Sequence, residues 1–169
     1  YNNVDLHQRA NLDAGGAIAI ASSESVALVE QQATVAVGVG AKLFVDLGDI
    51  RMAAYGDATM DVDNVGSTYG AAGVLSGKAT AALANQNFVT IGAEARIEAT
   101  KYVLPQDYDH RPDHGTVSIY AGRALDGTAG VLNVSATGSL FNNTAIPISG
   151  APDVQANVTS NAMVIIDTS

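Results

Sequence analysis

Val35-Ala36-Val37-Gly38-Val39-Gly40-Ala41-Lys42-Leu43-Phe44-Val45 returns 54 positions later as Val89-Thr90-Ile91-Gly92-Ala93-Glu94-Ala95-Arg96-Ile97-Glu98-Ala99. Apolar residues occupy every odd position from Val35 to Leu47, and a period of two marks a strand rather than a helix. The preceding residues keep the offset, with Ala27, Val29, Gln31 and Gln32 falling on Ala81, Leu83, Asn85 and Gln86. At Gly48-Asp49 the apolar phase moves to Ile50, Met52 and Ala54, as it does where a chain turns a corner and resumes its inward face. This second phrase, from Gly48 to Ala54, echoes Gly16 to Ser22 and returns as Gly115 to Ala121. A third phrase links Gly73-Val74-Leu75, Ala79-Thr80, Leu83 and Asn85 to Gly130-Val131-Leu132, Ala136-Thr137, Leu140 and Asn142, 57 positions apart. Self-similarity of this kind signals stacked repeats.

The fold expected is all-β: a right-handed parallel β-helix, or β-solenoid, with one projecting loop. It would have six to eight coils of about twenty residues, stacked about 4.8 Å apart. A β-sandwich fibre subunit with strand exchange is the alternative. Residues 1–169 form one domain, with repeat units at about 14–34, 35–88 and 89–148, a C-terminal strand region at 149–169 and an inserted loop at 102–114. Inward residues should include Val35, Val37, Leu43, Val45, Ile50, Met52, Val89, Ile91, Ile97, Val117 and Ile119. The Ala-rich stretch 70–83 favours helix by propensity. Its match to 130–140, which reads as strand, assigns it to strand instead. Gln31-Gln32, Asn85-Gln86-Asn87 and Asn142-Asn143 precede apolar strands at matching places, where amides could bond along the stack as a ladder.

Composition narrows the function. Hydrophobic residues make up 47% of the chain but are mostly Ala and Val, with no Trp and three Phe, so the interior must be narrow. Eight basic against seventeen acidic residues give a formal charge of −9, which disfavours nucleic acid and anionic membrane surfaces as partners. No run is long enough to insert in a membrane as a helix. Absence of cysteine excludes thiolate zinc sites, disulfides and thiol nucleophiles. The chain begins at Tyr1 with neither a basic nor an apolar leader region, and reads as a mature or internal segment.

Candidate site residues are few. Asp107, Asp109, His110, Asp113 and His114 crowd the segment 102–114, which the first repeat lacks, and make it a candidate binding loop standing off the repeats. Asp61 and Asp63 flank Val62, so both carboxylates should face outward while Val62 points in; they are a candidate calcium site, the only cofactor suggested. No nucleophile motif occurs and the three His are not paired with a serine elbow, so no catalytic residue is assigned and the chain is not read as an enzyme. Met163, Val164, Ile165 and Ile166 still read as strand near the carboxyl end, without a polar cap, and are candidates for self-association.

The alternating apolar run, the Asn/Gln pair, V-x-I-G-x-x-A-x-I-x-A and the Gly-Asp corner together resemble the passenger repeats of filamentous-haemagglutinin-like secreted bacterial adhesins. The residues that carry the resemblance are Val89, Ile91, Gly92, Ala95, Ile97 and Ala99, their counterparts at 35, 37, 38, 41, 43 and 45, and Gly48-Asp49-Ile50. The resemblance implies a parallel β-helix, an extracellular or cell-surface location and a structural or adhesive role. Partners would be copies of the chain itself and a host or surface glycan. A polysaccharide-acting β-helix enzyme or carbohydrate-binding module, with its site at the 102–114 loop, is the alternative.

Overall fold

The computed structural model describes residues 1–101 and 113–168. It is all-β among them. β1 (Asn2–Val37), β2 (Lys42–Val45) and β3 (Ile50–Ala54) make a first tier. β4 (Gly56–Ile91), β5 (Arg96–Lys101), β6 (Asp113–His114) and β7 (Val117–Ala121) make a second, and β8 (Leu132–Ser149) with β9 (Asp153–Ile166) a third. Tier pairs with tier in parallel, β1 with β4, β4 with β8 and β9, β2 with β5, and β3 with β7. Antiparallel pairing is confined to β5 with β6 and an Arg123–Ala129 bridge among the described residues, which is not the hairpin pattern of a sandwich.

The offset of 54 is a true register: Gln31 stands beside Asn85, Val35 beside Val89 and Lys42 beside Arg96. Ile50 stands beside Val117, as the corner phrase implies. The third phrase does not hold, since Gly73 pairs with Pro147 rather than with Gly130. The expectation of six to eight short coils is also corrected. There are three tiers, beginning at β1, β4 and β8, and the divisions drawn at 34/35 and 88/89 fall inside β1 and β4. Each tier runs through several corners, and β1 and β4 alone are 36 residues long, so one turn takes far more than twenty residues.

Each long strand turns back on itself at a glycine. Burial in β1 follows even positions from Val4 to Ala14 and odd positions from Ala19 onward, and the switch falls at Gly15-Gly16. β4 switches likewise at Gly70. We call the segments before and after this turn the first and second arms. Their inward faces share one core of Ala27, Ala58, Met60, Val62, Ala79, Ala81 and Leu83, with Val4, Leu6, Leu132 and Val134 against it. The stretch 70–83 is strand, as expected. A smaller core of Ala33, Ala54 and Val89 lies where β3 and β7 come back against the second arm.

Of the inward residues expected, Val37, Val89 and Ile91 are buried, while Val35, Val45, Ile50, Met52, Ile97 and Ile119 are half-buried. Leu43 and Val117 are each 38% exposed, because the strands that carry them, β2 and β7, each pair on one side only among the described residues. The best-buried large side chains, Met60, Leu75, Val62 and Val89, belong to the middle tier, which has a neighbour on both sides.

The amide ladder exists in altered form. Gln31 Nε2 donates to Asn85 Oδ1 at 3.0 Å, and Asn85 Nδ2 donates to Ser160 Oγ at 3.3 Å. The third rung is therefore Ser160, while Asn142 accepts from Thr68 Oγ1 at 2.9 Å. Gln86 is exposed, and Asn87 is 1% exposed with neither end of its amide bonded among the described residues. Its register partners are Ala33 and Ala162, which offer it nothing. Burying an unbonded polar atom costs about 1–3 kcal/mol. Asn87→Ala is therefore expected to stabilise the fold by about 1 kcal/mol after the lost packing, which should raise the melting temperature by about 2–4 °C. A calorimetric scan measures it.

Candidate functional site

The outward face of the first arms is a grid of polar columns, one residue per tier. Parallel register places His7, Asp61 and Ser135 in one column and Arg9, Asp63 and Thr137 in the next. As expected, Val62 between them is fully buried and the two carboxylates turn outward. Asp61 Oδ2 lies 3.0 Å from His7 Nδ1, and Asp61 Oδ1 accepts from the Ser135 hydroxyl. His7 Nε2 lies 3.1 Å from Asp5 Oδ1, so an imidazolium here donates from both nitrogens. Asp63 accepts from the Thr137 hydroxyl, and Ser67 donates to Asp13 in the same manner. His7, Arg9, Asp61, Asp63, Ser135 and Thr137 line an open groove of about 420 Å³. Its chemistry is that of tier-to-tier clasps: Asp61 and Asp63 are each engaged by a hydroxyl or imidazole of a neighbouring tier. Among the described residues no three His, Asp or Glu side chains converge as a metal site would require.

A second cleft, of about 670 Å³, lies beside β3 and includes Tyr1, Tyr55, Arg51, Met52, Leu125 and Asp126. The rings of Tyr1 and Tyr55 sit 4.8 Å apart at 42°. Desolvation raises the Tyr1 phenol above its ordinary value, helped by its hydrogen bond to Asp57 Oδ2 at 3.2 Å. Asp57 Oδ1 also accepts from the Val131 amide at 2.7 Å, fastening the start of the third tier. Asp126 is held below the usual carboxylate range by the Thr128 amide, which donates to it at 2.8 Å within the turn between β7 and β8. The proximity of Tyr1 to Tyr55 is invisible to period or motif. The only signal is that Tyr55 ends the first tier where the second begins, 54 residues after the chain's own first position.

Of the binding-loop residues, Asp107, Asp109 and His110 lie outside the described residues. The backbone of Asp113 and His114 pairs antiparallel with Lys101 and Thr100. The two ends of the inserted segment are therefore adjacent, at the edge of β5. Met163 to Ile166 pairs in parallel with Phe88 to Ile91, using one edge of its backbone, and its side chains are 40–59% exposed. Of the candidate groups the structure describes, it leaves the grid of Asp61 and Asp63 on the first arms apart from the carboxyl-terminal strand, which pairs with the end of the second arm. No family model matches the chain, and no curated protein or solved structure is similar to it.

Proposed function

We propose that the protein is a structural, adhesive extracellular component: a β-solenoid stalk or fibre-forming subunit that self-associates end to end or by strand exchange. The tiers are then turns of a right-handed parallel β-helix, the hand following from the general preference of parallel crossovers. The inserted loop at 102–114 projects from it for contact with a host or surface glycan. One observation carries this reading. Strands of up to 36 residues stack in parallel register, clasped column by column by short polar side chains, and among the described residues they leave a long unpaired edge on β1 and on β8 and β9. Such an edge templates further strands of its own kind. The resemblance of 35–45 and 89–99 to secreted adhesin repeats supports the same role and a cell-surface or extracellular location.

Electron microscopy of the purified chain over a range of concentrations tests this. Rods that lengthen with concentration, with about 15 Å added per copy from three tiers, are expected. Single particles at every concentration would end the fibre reading. The packed rings of Tyr1 and Tyr55 favour a second reading, a carbohydrate-binding module, because an exposed aromatic face beside a cleft is a platform on which a sugar can stack. Single particles retained on a polysaccharide column would favour it.

A further inference from the structure

Among the described residues the inward side of β9 is covered only in part, by its own first arm in β8, where Gly138 lies beside Val154. Val154, Ala156 and Val158 stand in register with Ala79, Ala81 and Leu83. The middle-tier residues are at most 2% exposed, whereas Val154 and Val158 are 40% and 47% exposed. Register and side-chain direction are the same, so the difference lies in what faces them.

Hydrogen bonds show what does. Asn64, on the first arm of the middle tier, donates both to the Ser23 carbonyl of the tier before and to the Lys78 carbonyl of its own tier, each at 2.7 Å. Asn142, on the first arm of the last tier, donates back to the Gly73 carbonyl of the middle tier at 3.1 Å. A first arm therefore sits astride two second arms, its own and the preceding one. The second arms of the first and middle tiers each have a following first arm, and their inward residues Ala27, Ala81 and Leu83 are buried. β9 is the one second arm with no first arm following it.

We propose that the first arm of a second copy, residues 2–14, supplies the missing cover. This rests on the end-to-end reading above and names its contact. The strand would pair in parallel with the free edge of β8 over 132–142, extending a packing that occurs twice inside the chain. The columns fix the register. Val4 and Leu132 both stand beside Ala58, and Asp5 and Asn133 both beside Thr59, so Val4 of the second copy meets Leu132 and its Asp5 meets Asn133. Val4 and Leu6 then lie over Val154 to Val158. Outside, His7 would meet Ser135 and Arg9 would meet Thr137, so charges fall beside hydroxyls and no like charges are stacked. Pairing stops at the turn, because Pro147 has no amide hydrogen and residues 150–152 bulge: the offset to β4 grows from 74 to 75 across them.

The chain has no cysteine, so disulfide trapping starts from a silent background. Asp5→Cys and Asn133→Cys in one chain should yield a ladder of covalent oligomers on oxidation, since in-register positions on adjacent strands lie within disulfide reach. Either substitution alone should stay monomeric. Asn11→Cys with Asn133→Cys should also fail, being six residues, about 20 Å, out of register. Val158→Asp, at a side chain already exposed in the single chain, should keep the wild-type melting temperature and lose the cross-linked ladder. Disulfide dimers from either single variant would mean that like ends meet, and would overturn the proposal. So would a ladder that survives Val158→Asp. Filaments without cross-linking would sink this contact and leave end-to-end growth standing. Absence of both would sink the two together.

Discussion

Gly70→Ala is expected to cost about 4 kcal/mol or more, enough to leave much of a marginally stable chain unfolded. A Cβ at this position would lie 1.8 Å from the Gly16 carbonyl oxygen, and φ is +146°, a region that side chains avoid. The clash is with backbone that already turns as sharply as the arms allow, so nothing can move aside. Gly16 and Gly70 are register partners, and the second tier nests on the first at this turn only because Gly70 lacks a side chain. Gly38→Ala is the control, since nothing lies within 4 Å of its would-be Cβ. Denaturant titration of the two variants should separate them by several kcal/mol, roughly the gap between a steric block and a free surface change. Equal midpoints would show that the tiers do not nest at this turn.

Met60→Ala should be the next most damaging change, at about 3 kcal/mol, because Met60 is fully buried and the cavity left cannot collapse between tiers. The same truncation in its register partners, Leu6 and Val134, should cost about 1 kcal/mol each, since both are half-buried on outer tiers. This gradient is specific to a three-tier stack. A protein assembled end to end should lose it: inside a filament Leu6 and Val134 acquire a neighbour, and the three costs should converge. Measuring the series in dilute and assembled samples tests stability and association together.

How much of this could be read in advance depended on the kind of residue marking each feature. Period two was plain wherever large β-branched residues alternate, as from Val35 to Val45, and the 54-residue register followed from comparing that stretch with Val89 to Ala99. The in-and-out placement of Asp61, Val62 and Asp63 was readable for the same reason. The phase switches at Gly15-Gly16 and Gly70 were hidden because Ala and Gly crowd both sides of them, and alternation among small residues carries little contrast. The third tier was misaligned because its offset differs from that of the first pair, so self-comparison settled on a shift of 57 that matches composition but not pairing. Gln31 and Asn85 were visible as one rung after another. Ser160 was not, since a hydroxyl completes the column where an amide was sought. The clasps of Asp61 with Ser135 and Asp63 with Thr137 needed the true offset of 74 before they could be seen at all.

The offsets have a consequence for how such a chain can grow. Between the first and second tiers the offset is 54 through β5 and 67 at β7, and between the second and third it is 74 at the start of β8. The two large increments fall at bends, between β5 and β7 and between β7 and β8, while the step from 74 to 75 falls in the unpaired residues 150–152 between β8 and β9. Length is thus free at the bends and held within each paired strand, where one added residue would turn every later inward side chain out. A chain built this way has ports: foreign peptides spliced at the two bends should be carried without loss of fold, on the flank where the molecule already carries its own insertions. Variation in what such a molecule meets can then accumulate at those ports, with the columns beneath left untouched.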